Sequence, residues 1–175
     1  GIPWKMSGAN PVNDLILQRL MWHERNGAYT CILAESYEWQ DDYKTLVLHL
    51  RKGVKFHDGT DFNAQAVKWN YEQAIAAKAG AWQLIKSVET TDDYTFKIHT
   101  DKYDAGLLPM VTAETINSPY SYMISPTSFQ KNGEAWADFH PIGTGPFKLK
   151  EYAADRHILT ERFDFCEVSV GKSSL

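Results

Sequence analysis

The chain has 175 residues, of which 43% are hydrophobic and 23% charged. A domain of this size buries roughly 70% of its unfolded surface, so the chain is long enough for one sizeable core. Net charge is −4 and no basic block is longer than Arg51-Lys52, which excludes an electrostatic footprint for nucleic acid. No apolar run approaches the roughly 20 residues that a membrane-spanning helix needs.

Cys31 sits in the apolar stretch TCILAE and reads as buried, while Cys166 lies near the far end. Sequence supplies no pairing geometry, so both read as free thiols. Residues 45–50 alternate, with Leu46, Leu48 and Leu50 on one face and Val47 and His49 on the other, as a strand with one buried face does. Arg51-Lys52-Gly53 breaks the strand and Val54-Lys55-Phe56 resumes it. His57-Asp58-Gly59-Thr60 is a turn in which Gly59 can take positive φ. Asn63 caps a helix over residues 64–79, whose apolar stripe is Val67, Tyr71, Ala74 and Ile75, continued by Lys78. Gln65 and Ala66 supply no acidic partner for a capping box. Gly80 reads as the residue that ends the helix. Much further on, Gly143-Thr144-Gly145-Pro146 is a tight turn that feeds a hairpin. Phe147, Leu149 and Tyr152 share one face of its first strand, residues 153–156 turn, and Ile158, Thr160 and Arg162 share a face of the return strand. The elements read as an α+β protein.

Catalytic and metal signatures are missing from the sequence. The six histidines (His23, His49, His57, His99, His140 and His157) form no HxxxH or HxxH pair, and there is no CxxC, GxSxG or phosphate-loop motif. His57 reads as a residue that orders its turn. The pairs Asp41/Asp42, Asp58/Asp61 and Asp92/Asp93 each flank a turn and read as solvated turn carboxylates. The reading is therefore non-catalytic, with no cofactor and no metal.

LRKGVKFHDGT followed by a helix, and PIGTGPFKL later, resemble the signatures of family 5 extracellular solute-binding proteins, the peptide- and nickel-binding receptors of ABC importers. Further stretches match in order. Residues 15–21 resemble the family's early helix, 33–39 a strand entry, 93–98 a later strand, and 123–129 another element. Residues 11–165 align with the first third of such a receptor. The resemblance implies a mixed β-sheet with packed helices, one lobe of a periplasmic-binding-protein-like (class II) fold, with residues 1–175 as a single N-terminal lobe. After Phe165 the sequence departs from the family, and the second lobe is expected to be absent.

The implied function is capture of a peptide or similar small solute, with an ABC permease in the membrane as partner. The implied location is extracellular or periplasmic, with the full-length protein membrane-tethered or free in the periplasm. A lone lobe is expected to bind weakly or not at all. It is also expected to be able to self-associate through its exposed inter-lobe face. Two alternatives stay open beside this: a ligand-sensing domain of a transcription regulator, and a nickel- or metal-chelate receptor lobe.

Candidate solute-facing residues follow from the same resemblance. Trp82 matches an aromatic that faces the ligand in the nickel-binding branch, and otherwise packs locally. Asn117, Ser118 and Tyr120 match a segment across the cleft, where the nickel branch has an arginine at about Ser118. Asn10 and Asn13 match the loop after the family's first strand and offer amide hydrogen bonds. Asn, Ser and Pro also favour turns, which is the alternative reading for both groups.

Overall fold

The alternating stretch Thr45–Leu50 forms strand β4, paired on both sides within one sheet. The computed structural model describes residues 2–5, 11–24, 26–78, 80–112, 121–153 and 156–164. Its central sheet has the order β3 (Ala34–Gln40), β4, β6 (Thr95–His99), β5 (Ser87–Asp92), and every pair is antiparallel. Leu46, Leu48 and Leu50 are buried on the face that also carries Phe96 and Ile98. Val47 is buried on the other face too, beside Glu38 and Lys97, because an interior strand is screened by both neighbours.

Helix α2 (Ala64–Ala76) packs on the leucine face through Val67, Tyr71 and Ala74. Asn63 caps it as its sequence position requires: its Oδ1 accepts from the Ala66 amide at 2.9 Å. The C-terminus differs from expectation. The helix ends at Ala76, and the left-handed residue is Lys78 (φ 53°), not Gly80. Gly80 instead opens a short 3₁₀ turn, Gly80–Leu84. Residues 54–56 do not resume β4 either. The stretch turns back on itself and makes a single bridge, Lys55 to Asp61. Gly59 takes φ 83°, as its turn position predicts.

The early helix is α1 (Pro11–Ile16), displaced from the expected 15–21. Ile16, Leu17, Leu20 and Met21 instead enter the core where the helix ends. A small antiparallel pair follows, β1 (Met21–His23) with β2 (Tyr29–Cys31). Beyond the sheet lie α3 (Leu107–Thr112), α4 (Pro126–Asn132) and α5 (Glu134–Ala137).

The final hairpin is present as read: β7 (Phe147–Ala153) pairs with β8 (His157–Arg162). A bulge between Leu149 and Glu151 shifts the alternation by one residue. That shift is why Tyr152, three positions after Leu149, stays on the face of Phe147 and Leu149. Among the described residues no helix is long and apolar enough to cross a membrane.

Candidate functional site: the wall around residues 121–125

The two motifs singled out in the sequence meet in space. The His57 amide donates to the Gly143 carbonyl at 2.8 Å. The imidazole bonds the same loop twice: Nε2 lies 2.9 Å from the Gly145 carbonyl oxygen, and Nδ1 accepts from the Gly143 amide at 3.4 Å. A ring that donates at Nε2 and accepts at Nδ1 is neutral. Burial holds its pKa below the ordinary histidine value, and Lys148 adds to this; the Gly145 carbonyl and Asp58 oppose it. The glycines are required by contact, since a Cβ on Gly143 would stand 2.3 Å from the Ile16 carbonyl oxygen, and one on Gly145 2.4 Å from that of Leu15. His57 therefore orders its turn by fastening it to a loop 86 residues away.

Asp58 does more than face solvent. One carboxylate oxygen accepts from the amide and hydroxyl of Thr60, and the other accepts the Ser125 hydroxyl at 2.5 Å. Ser125 in turn caps α4 through Ser128 and donates its amide to Ile142. One residue earlier, the buried Asn70 of α2 clamps the backbone of Ile124. Its amide nitrogen donates to the Ile124 carbonyl at 2.9 Å and its oxygen accepts the Ile124 amide at 3.1 Å. Met123 donates its amide to Gln18. Residues 121–125 are thus bonded to α2, to the loop after α1, to the 57–60 turn and to Ile142, which leads into the 143–145 loop.

The same segment carries Tyr122, which is 1% exposed. Its hydroxyl donates to Asp14 Oδ1 at 2.5 Å, and Arg19 Nη1 donates to that oxygen at 2.9 Å. Burial, and then the bond to Asp14, push the Tyr122 pKa well above the ordinary tyrosine value. Cys31 is half-buried, and burial raises its thiol pKa. Among the described residues no three His, Cys, Asp or Glu side chains converge on a metal position.

The sequence-derived candidates fall unevenly. Trp82 is 1% exposed and stands edge-on to Tyr71, ring centroids 4.6 Å apart, which is the local-packing alternative. Asn13 lies on α1, one residue before Asp14. Asn10, Asn117, Ser118, Tyr120 and Cys166 lie outside the described residues. The segment that follows Tyr120 and the helix that carries Asn13 are joined through Asp14 and Tyr122. Sequence reasoning missed Asn70, Arg19 and Tyr122. The available signal was a lone Arg and a lone Asn within otherwise apolar faces.

Residues 29–165 match the profile of the bacterial extracellular solute-binding proteins, family 5 (middle). The chain belongs to that family. Its members are extracellular solute-binding proteins. The glutathione-binding protein GsiB of Shigella flexneri is 36% identical over 137 residues, covering 75% of this chain and 26% of the relative. This family 5 chain thus spans about a quarter of the length of the curated relatives it matches. Among solved structures, NikA from Brucella suis in complex with Fe(III)-EDTA superposes with a TM-score of 0.76 at 26% identity, over 94% of this chain and 34% of that one. AgaA from A. tumefacien R10, in complex with agropinic acid, gives 0.77 at 28% identity over 89% of this chain and 31% of that one.

Proposed function

We propose that this fold forms one wall of the cleft in which an ABC-importer receptor captures a peptide or peptide-like solute outside the cytoplasmic membrane. The 36% identity to relatives named for binding glutathione supports this reading most directly. Capture closes two lobes about a hinge and presents the closed form to a membrane permease. Such work breaks no bond, so the wall needs hydrogen-bonding groups on a fixed frame more than it needs a nucleophile or a base. Asn10, Asn13, Asn117, Ser118 and Tyr120 are the proposed contacts. Trp82 backs the frame from inside and is not proposed as a contact.

The test is an amide NMR titration of the chain with reduced glutathione, trialanine and Fe(III)-EDTA, which reads weak binding directly. The expected result is fast-exchange shifts from glutathione or trialanine, concentrated on α1 and on residues 113–124. Shifts from Fe(III)-EDTA alone would favour a metal-chelate solute. Tight binding by this chain would overturn the one-wall reading, and no shift at millimolar concentration of any of the three would overturn the solute reading.

A further inference from the structure

Arg19 stands in the apolar stretch LILQRLM and is 5% exposed. Its guanidinium lies 4.0 Å from the ring centroid of Tyr122 and 5.0 Å from that of Trp22. It pairs with Asp14, whose Oδ1 also takes the Tyr122 hydroxyl. The backbones of Arg19 and Tyr122 form an antiparallel bridge. The Arg19 Nε is buried and has no acceptor among the described residues.

Stability alone does not account for this cluster. An ion pair with one partner at the surface adds little to stability, and an unpaired buried N–H is a cost. Directional groups provide something that apolar contact does not. A planar guanidinium stacked on aromatic rings and bonded to a carboxylate accepts few orientations, whereas apolar surfaces slide. The groups that meet here come from α1, from the lead into β1, and from the segment that begins at Ser121. Asp14 and Trp22 keep one side of the cluster at the surface, the Asp14 side chain being 44% exposed.

We propose that Arg19 is a positioning residue: through Asp14 and Tyr122 it fixes the orientation of α1, with Asn13, relative to the segment that follows residues 117–120. The proposal rests on the solute-wall reading, because it concerns the spacing of two groups of proposed contacts.

The experiment compares wild type with Arg19→Met, which keeps the volume, Tyr122→Phe, which removes only the donor to Asp14, and Arg19→Lys, which keeps the charge but not the stacking plane. Amide residual dipolar couplings report whether Val12 to Ile16 share the alignment of the central sheet. In wild type they should share it. In Arg19→Met and Tyr122→Phe they should not, while couplings within the sheet and the melting temperature hold, and Arg19→Lys should not restore them. In the same variants the glutathione or trialanine titration should show an apparent Kd raised at least about fivefold, the low end of typical coupling between sites. Unchanged couplings in both variants would overturn the proposal. So would a fall in melting temperature with couplings lost across the whole sheet, or altered couplings with unchanged affinity. If wild type binds neither solute, the cleft reading falls, and the couplings still decide whether Arg19 orients α1.

Discussion

Adding one methyl group at Gly143 tests how firmly the two motifs are joined. An ideal Cβ there lies 2.3 Å from the Ile16 carbonyl oxygen, 2.7 Å from Leu17 Cδ2 and 3.0 Å from Leu17 Cα. Two of these are main-chain atoms of a segment that enters the core, so a rotamer change cannot relieve the clash. The loop must retreat by roughly 1 Å to restore ordinary van der Waals contact. That retreat stretches the His57 amide to Gly143 bond (2.8 Å) and the Gly145 amide to Ile16 bond (2.9 Å). Overpacking costs about 1–3 kcal/mol and each lost bond about 1 kcal/mol. Gly143→Ala should therefore destabilise by about 3–5 kcal/mol, a large part of the 5–15 kcal/mol typical of a domain. Gly133→Ala is the control: φ is +81° and ψ 168° with nothing within 4 Å, so only the backbone penalty of that glycine-favouring region, about 1–3 kcal/mol, applies. Urea unfolding followed by tryptophan fluorescence and circular dichroism gives both values. If Gly143→Ala costs no more than Gly133→Ala, the close approach is not what holds the loop.

Three other outcomes are expected. His57 is neutral in the fold and its pKa is lowered from 6.5, so the unfolded chain takes up the proton first. Its contribution is complete above about pH 6.5 and is lost as pH falls through that value toward the folded pKa, where it levels off. Urea midpoints measured between pH 7.5 and 5.5 should fall less steeply in His57→Ala than in wild type, and equal slopes would contradict the assignment. Asn70→Ala leaves the Ile124 amide and carbonyl without their clamp in a buried site, and should cost about 2–4 kcal/mol in the same assay. Asn63→Ala removes the single side-chain cap of α2 and should cost about 1 kcal/mol, with the helical signal otherwise unchanged.

Much of the fold was legible because local chemistry decides it. Alternation fixed β4, Asn63 marked the start of α2, and the Gly143–Pro146 turn announced the β7–β8 hairpin. The misjudged points are those where tertiary packing overrides local preference. Lys78 takes the left-handed position although Gly80 is two residues away, and residues 54–56 have strand composition but fold back as a turn. Trp82 follows the same logic. A Gly-Ala-Trp sequence after a helix suggests an outward loop, but the 3₁₀ turn carries the ring onto Tyr71. The candidate wall was the least legible part. Its bonds join residues 54, 67, 86, 88 and 108 positions apart, and no periodicity in one stretch of chain encodes such a pairing.

The join between His57 and the Gly143–Gly145 loop also sets an order of events during synthesis. His57 lacks its loop partners until residue 145 has left the ribosome. At ordinary translation rates the 86 residues between His57 and Gly143 take roughly 4–17 s to make. Through that interval β3, β4 and α2 exist without the loop that closes over the end of α1, and Ile16 and Leu17 lack part of their cover. The nascent chain therefore passes through a state with apolar surface open to the wrong partners. Variants that weaken the join should leave that surface open beyond the end of synthesis and lower soluble yield before they alter the folded protein.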